Sequence, residues 1–251
     1  MIFGSENISA YTRSNMAIWM VLAFQAGLMN IGGLMACHTF VSHVTGFATL
    51  FSLEYESGNY PQAIGLLIIP ATFLLGSMVS GILVDLRMKL HKKPKYYIVF
   101  GVLFFLNSAI VIGGFNNAFG EFGLPLSSVQ GYALVSLLCF TCGVQNGTIT
   151  LVSKSVVRTT HLTGVTTDLG IGLIRFLNRK RIAGIEDEGK ANVMRIGIIV
   201  FFTLGSALGV KVFHHWNFRG FLFPCLISGT LFAITLYFQV FLERFPRLRW
   251  N

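Results

Sequence analysis

Three landmarks recur in one order along this chain, and no other feature restricts its fold so strongly. His43-Val44-Thr45-Gly46 returns as His161-Leu162-Thr163-Gly164. Ahead of each copy stands a small-residue stretch ending in Asn, Gly27-Leu28-Met29-Asn30 and then Gly143-Val144-Gln145-Asn146. One apolar segment after each copy comes Leu-Gly-Ser, at Leu75-Gly76-Ser77 and Leu204-Gly205-Ser206. An ordered recurrence of this kind is an internal duplication. It predicts two like halves, 16–115 and 130–242, within a single domain covering 1–251.

Composition names the medium. Hydrophobic residues make up 53% of the chain and charged ones 12%, with mean hydropathy +0.67. A soluble domain carries about 25% charged residues, so the balance points to a membrane. The net charge of +9 does not indicate nucleic acid, because the basic residues sit in short loops between apolar runs. Cytoplasmic loops of membrane proteins have that character. Cys37, Cys139, Cys142 and Cys225 lie in or beside apolar segments, and Cys139-Phe140-Thr141-Cys142 has no second pair and no nearby His. They read as small buried hydrophobes, not as a redox or zinc site.

Six apolar runs read as spans against the about 20 residues that a bilayer crossing needs: 16–36, 61–84, 96–114, 130–152, the shorter 196–210, and 221–242. The first lacks the basic leader and cleavage site of a signal peptide and is expected to remain as a span. Pro61 suits a first helical turn and Pro70 a kink. Gly76, Ser77, Ser80 and Gly81 form one small-residue seam, and Gly205, Ser206 and Gly209 another, where helices can approach closely. The two motif segments, 38–53 and 156–177, are short or polar for spans. The second holds Arg158, His161, Asp168 and Arg175, and an Arg or Asp at mid-helix costs about 2.5–3.5 kcal/mol on insertion.

Charge tests whether those segments cross. If both do, the 19 Lys and Arg divide 10 against 9 between the two sides. If neither does, they divide 17 against 2, with only Lys211 and Arg219 opposite. If the first alone crossed, the split would be 16 against 3, which charge hardly separates from the second count. The positive-inside rule favours a strong asymmetry, and equivalence of the halves favours treating both segments alike. The expected fold is therefore all-α and polytopic, with three spans per half, the halves inverted in the membrane, and two re-entrant or broken helices carrying the His-x-Thr-Gly motif. Irregular backbone at that depth must face protein or a water-filled cavity, and inverted repeats place a site near the midplane.

The candidate lining residues are Asn30, His43, Thr45, Gly46, Gln145, Asn146, His161, Thr163, Gly164 and Asp168. Thr45 and Thr163 precede helical runs and are expected to cap them. Gly46 and Gly164 offer special backbone angles or room for a ligand. Half-helices starting at mid-membrane would aim positive dipole ends at an anion or a carbonyl oxygen; the alternative is that the glycines only allow tight packing, and the recurrence of the motif favours the lining role. Asn30 and Asn146 need partners, which the opposite motif segment or a neighbouring helix would supply. Asp168 lies seven residues from both His161 and Arg175, which suits an internal Arg–Asp pair or, alternatively, an ion relay. His214-His215 reads as an interfacial loop. No phosphate-binding Gly-rich loop, HExxH or nucleophile elbow is present, so neither an enzyme nor a cofactor or metal is expected.

These stretches, above all Gly27–Asn30, Phe40–Gly46, Gly143–Asn146 and Val157–Gly164, resemble the bacterial YoaK family of multi-pass membrane proteins. That family is grouped under the unknown-function domain DUF1275. The resemblance covers about residues 16–242. The family pattern has Asp where this chain has Asn30, and Asn where it has Phe47. If that acid couples ions in relatives, coupling is altered here. The expected function is a small-solute transporter or permease of the bacterial inner membrane, with both termini cytoplasmic. The rival is a non-transporting scaffold or partner subunit with the motif as its packing core. The expected partners are the lipid bilayer, a small solute that the dipoles would favour as an anion, and a second copy of the chain in a homodimer; nucleic acid is not among them.

Overall fold

The computed structural model describes residues 13–126, 128–152, 162–182, 184–185 and 187–241. All regular structure among them is helical: α1 (Arg13–Cys37), α2 (Val44–Glu56), α3 (Tyr60–Ser80), α4 (Leu86–Lys89), α5 (Tyr96–Phe115), α6 (Val129–Val152), α7 (Leu162–Leu177), α8 (Glu188–Trp216) and α9 (Leu222–Leu236). A π-turn, Gly81–Asp85, joins α3 to α4. Left-handed residues end several of the helices. Gly58 at φ +81° closes α2, with Asn59 N donating to Glu54 O at 2.9 Å. Asn117 at φ +54° does the same after α5, where Ala118 N reaches Gly113 O at 2.9 Å. These backward bonds satisfy carbonyls that a helix end leaves open.

Five stretches are long and apolar enough to cross a membrane: Asn15–Cys37, Tyr60–Lys89, Tyr96–Phe115, Val129–Leu151 and Glu188–Phe241. The last, at 54 residues, would be about 80 Å long as one helix, far beyond the ~30 Å of a hydrocarbon core. It breaks at Asn217, φ +45°. The chain folds back there, since the rings of Phe213 and Phe221 lie 4.8 Å apart and those of Trp216 and Phe223 stack at 5.6 Å. Outward-facing Ile64, Leu67, Ile68, Leu74, Leu75 and Met78 on α3 are all exposed. An apolar surface of that extent belongs against lipid.

The core is organised by four glycines, each three residues after a Phe: Phe24/Gly27, Phe73/Gly76, Phe140/Gly143 and Phe202/Gly205. A methyl group on Gly27 would strike the Phe202 carbonyl oxygen, and one on Gly205 the Phe24 carbonyl. Gly76 and Gly143 stand in the same relation to Phe140 and Phe73. Ser77 Oγ donates to Gly143 O at 3.3 Å, and Ser206 Oγ to Gly27 O at 3.3 Å. The α1–α8 crossing thus repeats the α6–α3 crossing atom for atom. A third reciprocal contact joins α5 and α9, where Gly101 meets Phe232 and Gly229 meets Phe104.

Contacts along these pairs give their directions. α1 and α8 run parallel, Gly197 lying beside Met20 and Gly32 beside Phe213. α3 and α6 are also parallel, from Gln62 with Leu126 O at 3.4 Å to Ser80 with Thr148 at 3.0 Å. α5 and α9 are antiparallel, with Tyr97 bonded to Gln239 at 3.3 Å and Ser108 beside Cys225 at 3.3 Å.

Three sequence expectations change. α8 begins at Glu188, eight residues before the expected span, because Arg195 reaches back to Glu188 at 2.6 Å and Asn192 at 2.7 Å and so neutralises the polar turn. Gly81 does not belong to the seam, since nothing lies within 4 Å of its added methyl. His214 and His215 sit in the last turn of α8, not in a loop, although both are exposed.

Gly76→Ala and Gly205→Ala should each destabilise by about 1–3 kcal/mol, since the added carbon must push two backbones apart. Gly170→Ala, in open space on α7, should match or exceed the parent because alanine is the better helix former. Melting midpoints in detergent decide this. Three equal midpoints would remove the glycine crossings as the organising contact.

Candidate functional site

The motif builds the start of a half-helix. The link 38–43 leaves the end of α1, His38 Nε2 lying 3.0 Å from Gly123 O, and returns alongside α1. Asn30 Oδ1 fixes it there by accepting from Ser42 Oγ at 2.9 Å and Ser42 N at 3.4 Å. α2 then begins at Val44 and packs only its Phe47 side fully against the bundle. At 13 residues it is about 20 Å long, too short to cross. α7, 16 residues, begins one residue after His161 and packs against α8 through Val165 and Gly172. His161 and Arg158 lie outside the described residues.

Several expected roles are corrected. Thr45 and Thr163 are the second residues of their helices, not caps; His43 holds the cap position of α2 and makes no side-chain cap bond. Gly46 has ordinary helical geometry, and a methyl there would meet only His43 Cβ at 4.0 Å. Its asset is open space, not a special backbone angle. Gly164 likewise lies inside α7. Asn30 takes its partner from its own half, not from the opposite motif. Arg175 approaches Glu188 at 3.9 Å instead of Asp168, which is exposed and makes no ion pair among the described residues.

Gln145 and Asn146 are buried in α6. Gln145 Nε2 donates to Leu22 O at 2.8 Å and ties the two halves together. Asn146 Oδ1 has no partner among the described residues, and Thr160, the counterpart of Ser42, lies outside them. Phe47 belongs to a core cluster with Met29, Cys37 and Val41, whereas Val165 belongs to a second cluster with Trp19, Leu22 and Val144. The two half-helices therefore start against different parts of the bundle.

What they share is a hydroxyl stripe on the side away from the bundle. On α2 it runs Thr45, Thr49, Ser52; on α7 it runs Thr163, Thr167, Gly170, with Thr166 and Asp168 flanking. Spacings of four and three residues keep each stripe on one face. All of these residues are exposed. Thr49 and Thr167 each donate to the carbonyl four residues back, Thr45 O at 3.4 Å and Thr163 O at 2.9 Å. Their oxygens still have lone pairs to offer. The repeated Thr-x3-Thr was the sequence signal for this stripe, beside the motif itself.

A second polar cluster had no sequence signal beyond the lone residues that form it. Gln25, the central residue of α1, donates through Nε2 to Ser228 Oγ on α9 at 3.0 Å. Asn107 on α5 donates to the same oxygen at 2.9 Å and to Leu103 O at 2.9 Å, while Ser228 donates to Pro224 O at 2.7 Å. Gln25 Oε1 and Asn107 Oδ1 are buried without partners.

The fold and these sites define a multi-pass helical membrane protein. The family model of a protein of unknown function, DUF1275, matches residues 18–234, and the chain belongs to that family. Neither a curated protein nor a solved structure matches it.

Ser228→Ala would leave two buried amide donors without their common acceptor. Each orphaned group costs about 1–3 kcal/mol, so a fall in melting midpoint larger than that of Thr203→Ala on the exposed side of α8 is expected. Equal midpoints for the two variants would mean that the cluster does not hold α1, α5 and α9 together.

Proposed function

We propose that this protein is a transporter or permease for a small solute, working from a cleft between two halves inserted in opposite orientations. The observation that carries the reading is the duplicated hydroxyl stripe with Asp168. Helices too short to cross turn their polar side away from the protein, a surface that hydrocarbon would not reward and that a water-filled path would. In this reading the protein lies in the bacterial inner membrane, has no enzymatic role, and crosses six times, the stretch Glu188–Phe241 counting twice.

Helix directions support that count. If neither α2 nor α7 crosses, α1 and α8 point the same way, α3 and α6 point the same way, and α5 opposes α9. Two crossings would make α5 and α9 parallel, and a single one would make α1 and α8 antiparallel. The contacts described above agree with the first case, which is also the case with 17 of the 19 basic residues on one side. The amino and carboxyl termini then lie in the cytoplasm.

Single cysteines at Asn59, Lys92, Asn117, Arg181 and Asn217, in a background without the four native ones, report the orientation. Positions 59, 117 and 217 should label from the periplasm in intact cells, and 92 and 181 only after permeabilisation. Periplasmic labelling at 181 would overturn the re-entrant reading of α7.

Function is tested by flux in proteoliposomes, screened across classes of small metabolites with and without a pH gradient. Gly46→Val should keep its melting midpoint within a few degrees, because open space receives the side chain, and should slow the flux of the best solute. His43→Gln should shift its pH dependence. Undiminished flux through a well-folded Gly46→Val protein would remove the cleft from the pathway. A screen in which the parent moves nothing would favour the scaffold, in which Asn30–Ser42 and Gln145–Leu22 serve packing alone.

A further inference from the structure

The surface half of α7 differs sharply from its hydroxyl-bearing start. Ile171, Ile174 and Leu177 are exposed by 50%, 62% and 75%, and their spacing of three residues makes a continuous apolar ridge. The ridge ends in three consecutive cations, Arg179, Lys180 and Arg181. Beside them the turn forms an open hollow of about 420 Å³, lined by Phe176, Leu177, Asn178 and the same three cations. Phe176 and Leu177 give it apolar lining, and the three cations give it positive charge.

The turn is built rather than loose. Asn178 Nδ2 donates to Ile174 O at 2.9 Å, and Arg181 N donates to Asn178 O at 2.8 Å. The Arg179 guanidinium sits 4.5 Å over the Phe176 ring. Among the described residues the nearby carboxylates are engaged: Asp187 takes Lys190 at 2.8 Å, and Glu188 takes Arg195 at 2.6 Å with Arg175 at 3.9 Å. Among the described residues none of the three rim cations has an ion pair. A ridge of apolar side chains leading into a cluster of cations is complementary to one kind of molecule, an amphiphile with an anionic head.

We infer that the end of α7 is a binding site for an anionic phospholipid, with the phosphate on Arg179, Lys180 and Arg181 and an acyl chain along Ile171, Ile174 and Leu177. The inference rests on the re-entrant reading of α7, which brings the helix end to the membrane surface. Basic pockets at that level bind lipid head groups, and arginine adds the forked geometry that phosphate oxygens accept. A bound lipid would also brace the end of α7, and so the half-helix that carries Thr163 and Asp168.

The test uses the full chain purified in mild detergent and titrated with phosphatidylglycerol, with phosphatidylcholine and inorganic phosphate as the other arms, binding being read by native mass spectrometry and by melting midpoint. Phosphatidylglycerol should bind and raise the midpoint, while the other two should do neither. At about fivefold per cation near a membrane surface, R179Q/K180Q/R181Q should bind about a hundredfold more weakly and keep the midpoint of the lipid-free parent. Should the triple variant not fold, R179Q and R181Q singly should each lose about fivefold. Unchanged binding in the variants, equal binding of phosphatidylcholine, or an equal effect of inorganic phosphate alone would each overturn the proposal. Cysteine labelling at 181 reports the re-entrant reading separately, so a failure of lipid binding with cytoplasmic labelling condemns only the lipid site.

Discussion

The contact on which the rest of this structure depends is backbone against backbone at Gly27, Gly76, Gly143 and Gly205. Lipid chains are as apolar as leucine, so helices in a bilayer are not driven together by the hydrophobic effect and must gain from close packing. Each glycine lets its helix approach until a carbonyl oxygen of the partner occupies the place of a side chain. At that separation Cα–H groups can point at carbonyl oxygens, a weak attraction that recurs at helix interfaces. The serine that follows Gly76 and Gly205 adds a hydrogen bond to the carbonyl of the facing glycine. Because each of the two crossings joins a helix of one half to a helix of the other, neither half would retain its close contacts alone.

This arrangement explains why the helical, multi-pass character of the fold is legible in the sequence. The duplication, the apolar runs and the small-residue seams are all properties of spacing, and spacing survives without knowledge of partners. Gly76 and Gly205 could be assigned to seams because glycine and serine recur at helical intervals. Gly81 was misread for the same reason, since interval alone does not say which side of α3 faces α6. The Phe-x-x-Gly quartet carries little signal, because phenylalanine occurs 24 times in this chain. Its relevant atom is the carbonyl oxygen, which no side-chain pattern displays.

The starts of the two half-helices are legible in the sequence, and their detail is less so. The motif predicts a break before a helix, and α2 and α7 do start there. The start falls one residue after the histidine, however, which moves both threonines into the helix and onto its outer face. Helix boundaries are decided by which backbone groups find partners, and here Asn30, twelve residues upstream, holds the link through Ser42. An interaction across that gap cannot be inferred from capping preferences. The pair expected between Asp168 and Arg175 failed for a similar reason: Glu188, on the next helix, lies within reach of the arginine.

Where the two halves differ is as informative as where they agree. The glycine crossings coincide, but the polar groups around them do not. Gln25, Asn107 and Ser228 correspond by alignment of the crossings to Thr141, Thr235 and Phe100, and the two threonines bond only to carbonyls of their own helices. Glu188, Asn192 and Arg195 correspond to Asn59, Ala63 and Leu66, and Asp168 corresponds to Leu50. A duplicated chain needs its packing twice, since each crossing must hold. Polar groups at membrane depth are costly, and at these positions only one copy carries the bonds that cross between helices. Their presence on one side only separates what maintains the bundle from what distinguishes its two halves. Asp168 on α7 and the α1–α5–α9 cluster are where the repeat is broken.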